Sequence, residues 1–106
     1  MSDTAFCVTS SMPAHGVLVL AVVGELDADT SDLLTSEFDQ WLGISELVID
    51  LHDCTFIDSR GLGALIECRR QIGFDATMRL LGVPSSIGHT LRLAGLETAL
   101  GLDAVA

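Results

Sequence analysis

Val17 to Val23 is an unbroken run of seven apolar residues, and it constrains the fold more than any other feature of the chain. Crossing a bilayer as a helix takes about 20 such residues, so the run reads as a strand. A strand with no polar position is covered on both faces and lies inside a sheet. Phe6 to Thr9 supplies a strand to pair with it as a hairpin, through an irregular connection, Ser10 to Gly16, marked by Pro13 and Gly16.

Downstream, strand and helix patterns alternate. The chain turns through Gly24-Glu25-Leu26-Asp27-Ala28-Asp29, and Thr30 then caps a helix with Leu34, Phe38, Trp41 and Leu42 at helical spacing, ended by Gly43. Leu47 to Leu51 is a β-branched run of strand length. Asp58-Ser59 precedes a second helix carrying Leu62, Leu65, Ile66 and Cys68 through Ile72, with Gly73 as its stop. Met78 to Leu81 reads as a fourth strand. Pro84-Ser85-Ser86 opens a third helix with Ile87, Leu91 and Ala94 on one face and Gly95 at its end. The tail, Leu96 to Ala106, is apolar enough to pack but too broken by glycine for an element. The order β-β-α-β-α-β-α requires crossover connections, and hence an α/β fold: one domain over residues 1–106, with a mixed sheet of four to five strands flanked by helices.

Charge excludes several functions. The net charge is -10, and its distribution is uneven: residues 1–59 hold eleven Asp and Glu with no Lys or Arg, while all five basic residues are arginines from Arg60 onward. Binding to nucleic acid or to an anionic membrane draws on clustered Lys and Arg, so neither is expected as a partner. The chain has no lysine, which removes Schiff-base chemistry and the phosphate-loop nucleotide hydrolases. No basic leader opens the sequence, so a cytoplasmic location is expected. Cys7, Cys54 and Cys68 have no C-x-x-C spacing and read as small buried thiols, not as metal ligands. There is no G-x-S-x-G elbow and no H-E-x-x-H pair, and His15, His52 and His89 read as surface or packing residues. Asp50, near a strand end, suits the phosphoacceptor of a receiver domain, but that chemistry also needs a lysine. No catalytic residue, metal or cofactor is expected.

Positive content lies in Phe56-Ile-Asp58-Ser59-Arg60-Gly61-Leu62-Gly63-Ala-Leu65. An oxygen-bearing pair before a helix is an ordinary cap for orphan N–H groups. Two glycines in the first turn are not ordinary, because each costs about 1 kcal/mol relative to Ala. Such a cost predicts that something approaches the backbone there.

These residues resemble a family. Leu47-Val-Ile-Asp-Leu51 followed by Cys54-Thr-Phe-Ile-Asp-Ser-Arg-Gly-Leu-Gly-Ala-Leu65 is similar to the signature of STAS domains, specifically the bacterial anti-sigma factor antagonists. Gly24-Glu25-Leu26-Asp27 and Leu91-Arg-Leu-Ala-Gly-Leu96 add to the match. The resemblance implies a non-enzymatic module in which Ser59 is phosphorylated by an anti-sigma factor that is also a serine kinase. Unmodified protein then binds the kinase and frees a sigma factor. Phosphorylation reverses this, and a metal-dependent Ser/Thr phosphatase resets Ser59. The helix after Ser59 and the G-E-L-D turn are the implied kinase-facing surface, which makes Glu25, Asp27, Asp58, Arg60, Gly61 and Leu62 the expected partner-binding residues. The same resemblance also accommodates an unphosphorylated STAS scaffold subunit of a lipid-transport or signalling complex.

Physical chemistry is compatible with a switch at this place. A phosphate adds about -1.5 to -2 charges at a helix N-terminus, which tolerates an anion. Nearby acids oppose it: Asp58 is adjacent, and the family geometry implies that Asp27 and Asp53 are close. Each contributes repulsion of about 1 kcal/mol after salt screening. One departure from the family pattern stands out. A small hydroxyl residue normally follows the acceptor, and here that position is Arg60, the first positive charge in the chain. It can neutralise the acidic rim, pair with a partner or attract the phosphate, or it can be a solvated arginine tolerated at a helix start. Neighbouring positions on a helix do not share a face, so pairing with a phosphate on Ser59 does not follow from spacing.

Overall fold

β1 (Cys7–Ala14) and β2 (Val17–Leu26) form an antiparallel hairpin in a computed structural model that describes residues 5–93, 95–96 and 100–101. The hairpin is longer and tighter than the sequence predicts. Ser10 to Ala14 is strand, not connection, and the turn is only His15 and Gly16, with Gly16 at φ 79. Pro13 accounts for the difference. It lacks an N–H, but the register shift between Ser11 and Ala14 is a bulge on an edge strand, where proline removes no essential ladder bond.

β2 then pairs in parallel with β3 (Glu46–Ile57), which pairs in parallel with β4 (Thr77–Leu81), giving the order β1-β2-β3-β4. The interior place of β2 is as expected, but its double burial is not. Leu18, Leu20, Val22 and Leu26 are buried, whereas Val17, Val19, Ala21 and Val23 are only half-buried. Neighbouring strands shield that second face: Val19 sits in register with Ser11 on one side and Val48 on the other. Partial cover by cross-strand neighbours suffices to keep valines there.

Three helices supply the other layer: α1 (Ser31–Asp39), α2 (Ser59–Ile72) and α3 (Ser85–Leu93). Their apolar residues Leu34 and Phe38, Ala64, Leu65 and Cys68, and Ile87 and Leu91 join Leu18, Leu20, Val22, Leu47, Ile49 and Leu80 in one core. α1 stops at Asp39, so Leu42, placed on its buried face by spacing, is 92% exposed. The apolar periodicity runs on past the end of the helix. Trp41 does pack against the core, while Ile66 of α2 is exposed. Ala94, on the expected face of α3, and most of the tail lie outside the described residues. Leu100 is buried, and Gly101 lies so close to β4 that its carbonyl accepts from Leu80 N at 3.0 Å. Of the tail's described residues, Leu100 and Gly101 thus pack, in keeping with its apolar composition.

Two of the cysteines match expectation. Cys54 and Cys68 are buried free thiols; burial pushes Cys68 up to about 12, with Asp39 and Glu67 adding to it, and raises Cys54 as well. Cys7 does not: it is exposed, because β1 is an edge strand and the adjacent Val8, on the opposite face, is the residue that packs against the core.

Candidate functional site

β3 delivers the site. Instead of ending at Leu51, the strand runs on to Ile57 through two register shifts against β2, one between Ala21 and Val23 and one between Gly24 and Glu25. Each shift breaks the inside-outside alternation, which is why His52 to Phe56 did not read as strand. The final ladder pairs, Glu25 with Phe56 and Leu26 with Ile57, bring the G-E-L-D turn beside the start of α2.

Asp58 holds that junction by three contacts. Its extended backbone (φ -101, ψ -171) makes it the N-cap of α2, and its carboxylate accepts from Gly61 N at 2.9 Å. Its own N–H donates to Leu26 O at 3.2 Å, and its carbonyl accepts from Leu62 N at 2.9 Å. Ser59 and Arg60, between these anchored positions, are exposed.

The two first-turn glycines have different reasons. A Cβ on Gly61 would lie 2.2 Å from the carbonyl oxygen of Leu26, so the close approach predicted by the glycine is that of the chain's own β2. A Cβ on Gly63 would meet nothing within 4 Å. Gly63 instead leaves a groove open.

Asp27 and Thr30 tie up the turn. The Thr30 hydroxyl donates to Glu25 O at 2.7 Å and accepts from Asp27 N at 2.9 Å, so it points back into the turn and makes no cap bond to α1. Asp27 does the work assigned to Thr30. Its Oδ1 accepts from Asp29 N (3.0 Å) and Thr30 N (3.2 Å), and its carbonyl accepts from Ser31 N at 2.8 Å. Glu25 stays exposed and Asp27 half-buried. Asp53 pairs with Val23 further back along the sheet and lines neither of the clefts described next.

Ser59 stands where two clefts meet. One, of about 340 Å³, is mainly apolar, with Phe56, Ile57 and Leu62 facing Ile87 and Leu91 of α3 and the hydroxyls of Thr55, Ser86 and Thr90 beside them. Phe56 is 49% exposed there. The other, of about 490 Å³, runs between α1 and α2 and is lined by Asp32, Asp39, Arg60 and Glu67. Sequence reasoning missed both walls. The second was legible, because Asp32, Thr35 and Asp39 recur at i, i+3, i+7 on α1, as do Arg60, Gly63 and Glu67 on α2. The cleft formed with α3 was not, since it depends on how far β3 runs before turning.

Arg60 lines the same groove as Ser59, although the two are adjacent in sequence. Among the described residues it makes no ion pair or hydrogen bond. Three other arginines are engaged: Arg69 donates to Ala76 O and Gly73 O, Arg70 to Glu67, and Arg79 to Glu46.

One pair away from the site also escaped notice. His52 Nδ1 lies 2.6 Å from Asp50 Oδ1, and the imidazole occupies the space a side chain at Gly82 would need. Residues i and i+2 of a strand share a face, so this partnership was readable. Desolvation pushes the Asp50 carboxyl up, but the His52 N–H and ring outweigh it and hold the group below its usual range. No cluster of metal-ligating side chains occurs among the described residues.

A family model of the STAS domain matches residues 13–103. The chain belongs to the STAS domain family. Solved structures agree with the fold. An anti-sigma factor antagonist from Mycobacterium paratuberculosis is 24% identical, with a TM-score of 0.82 over 94% of this chain and 86% of that one. The phosphorylated form of SpoIIAA, a Bacillus cell fate determinant, is 16% identical over 92% of each chain, with a TM-score of 0.71. A sulfate transporter family protein from Wolinella succinogenes is 22% identical over 86% of this chain and 76% of that one, also at 0.71. The STAS fold therefore serves proteins of more than one kind. Among the described residues of this STAS domain, no helix is long and apolar enough to cross a membrane.

Proposed function

We propose that this STAS domain is an anti-sigma factor antagonist that binds an anti-sigma factor with serine kinase activity, thereby releasing a sigma factor, and that phosphorylation of Ser59 switches it off. The observation that carries this reading is the position of Ser59: exposed, first in α2, and with a hydroxyl that makes no hydrogen bond among the described residues, since Asp58 supplies the cap. In the transfer, Ser59 Oγ bonds to the γ-phosphorus of the kinase's ATP, the bond to the β-phosphate breaks, ADP leaves and the hydroxyl proton passes to a base on the kinase. Hydrolysis by a metal-dependent Ser/Thr phosphatase returns the hydroxyl and inorganic phosphate. No residue of this chain acts as a catalyst, and the cycle belongs in the cytoplasm.

Glu25, Asp27, Asp58, Arg60, Gly61 and Leu62 divide into two kinds under this reading. Asp27, Asp58 and Gly61 shape the surface through contacts within the chain, whereas Glu25, Arg60 and Leu62 are available to a partner. A dianion at Ser59 would be desolvated against a surface fitted to a hydroxyl and would face Asp32 and Asp39 across the groove. Two such effects of about 1.4 to 2 kcal/mol each weaken binding about 10²- to 10³-fold.

The test is incubation with the candidate kinase and ATP, phosphosite mapping by mass spectrometry, and binding measurements on Ser59→Ala and Ser59→Asp. Phosphate on Ser59, with Ser59→Ala binding and Ser59→Asp released, is the expected result. Modification elsewhere, or equal binding by both variants, overturns the switch. Equal binding accompanied by recovery of a transporter ATPase on co-purification would favour the scaffold reading, which Arg60 also suits.

A further inference from the structure

We infer that Arg60 is a built-in counter-cation for the phosphate on Ser59, so that this switch is deliberately softened; the inference rests on the phosphorylation reading above. Three observations carry it. Ser59 and Arg60 line one groove between α1 and α2. Arg60 is uncommitted: among the described residues it has no hydrogen bond or ion pair, whereas Arg69, Arg70 and Arg79 are each engaged. Finally, the N–H groups of Ser59 and Arg60 have no acceptor among the described residues, because Asp58 takes Gly61 N and Leu62 N.

The groove offers competing acids, and they differ in availability. Glu67 is occupied by Arg70 and Gln71. Asp32 and Asp39 of α1 face the groove, and Asp58 lies behind Ser59 with its carboxylate bonded to Gly61. A phosphate carries about two charges against one for each carboxylate and is tethered one residue from Arg60, so it outcompetes them for the guanidinium. The consequence is chain-specific. With a small hydroxyl residue in place of Arg60, the acids of this groove would oppose the phosphate with no cation beside it to offset them. Here part of the new charge is neutralised on arrival, which lowers the contrast between the two states and favours a graded output.

The test does not need a kinase. Phosphoserine is installed at position 59 by synthesis or by genetic encoding, and the phosphate is titrated by ³¹P NMR in the wild-type chain, Arg60→Ser and Arg60→Lys. Free phosphoserine has a second pKa of about 6, and a neighbouring cation, partly screened by salt, lowers it by roughly 0.5. The wild type should titrate about 0.5 pH unit below Arg60→Ser, with Arg60→Lys between them and the gap shrinking at 1 M salt. Coincident midpoints for the wild type and Arg60→Ser, both folded by circular dichroism, overturn the inference and leave the kinase reading standing. Failure of a kinase to modify Ser59 would instead overturn that reading without touching the titration.

Discussion

Gly61 and Gly63 sit two residues apart in the same helical turn, and the same substitution should move stability in opposite directions at the two sites. In Gly61→Ala the new Cβ falls 2.2 Å from Leu26 O and 2.9 Å from its carbonyl carbon. Backbone, not a pliable side chain, is what it meets. The gap must open by about 1 Å to reach even a tight contact. That movement stretches the bond from Asp58 N to Leu26 O, now 3.2 Å. Overpacking of this kind costs about 1 to 3 kcal/mol and a weakened buried hydrogen bond about 1, against a helix-propensity gain of at most about 1. The net is about 2 kcal/mol of destabilisation, or a fall in Tm of about 10 °C for a chain of this size. Gly63→Ala meets nothing within 4 Å and has an ordinary helical backbone, so only the propensity gain applies: about 0.5 to 1 kcal/mol, and a Tm higher by about 4 °C. Thermal and urea melts followed by circular dichroism read both. A Gly61→Ala protein as stable as the wild type would refute the claim that this glycine exists to seat β2 on α2.

Capping gives a second test: Asp58→Ala should lose about 1 kcal/mol in urea melts, because Gly61 N is left without its acceptor, while Asp58→Asn keeps most of the bond. Thiol labelling gives a third. Cys7 should react with a maleimide in the native protein, whereas Cys54 and Cys68, buried and held as thiols, should label only in denaturant. Native labelling of Cys68 at neutral pH would contradict its burial. The fourth uses pH. Because the folded state holds the Asp50 carboxyl below its ordinary value of 3.8, the unfolded chain binds that proton more readily, so its stabilising effect is present above that value and is lost as pH falls below it. Asp50→Asn or His52→Ala should therefore flatten the acid limb of the stability profile, and an unchanged limb in both would show that the pair is incidental.

How far the sequence disclosed this molecule depends on where its information is local. α2 was legible in detail, because Asp58, Leu65, Cys68 and Gly73 carry cap, core face and stop in one stretch. β2 was placed correctly but misjudged in depth, since an all-apolar run cannot distinguish cover by helices from cover by neighbouring strands such as those beside Val19. β3 was cut short for a related reason: its bulges expose His52 and Asp53 together, and a period-two reading ends where alternation ends. The site followed the same rule. Asp58, Ser59 and Gly61 were visible as a local pattern, but the occupant of the space beside Gly61 was not, because Leu26 lies 35 residues earlier in the chain. The apolar cleft against Ile87 and Leu91 could not be seen at all from residues that distant.

What the geometry adds to the charge pattern is a separation of duties across a single peptide bond. Asp58 belongs to the fold: it caps α2, anchors Leu26 and lies on the acidic side of the boundary at residue 60. The Ser59 hydroxyl makes no hydrogen bond among the described residues. A phosphate placed there leaves the cap, the strand ladder and the glycine seat intact, and a helix N-terminus tolerates the added charge. On the proposed reading, its effect on binding falls on whatever approaches the two clefts. This is the condition for a modification that changes partners without unfolding the protein. Had Ser59 itself been the N-cap, each phosphorylation would have traded about 1 kcal/mol of helix stability for the signal. By leaving the cap to its neighbour, the chain would let a phosphate on Ser59 alter binding at little cost to folding, and on the proposed reading Arg60 would act on the binding.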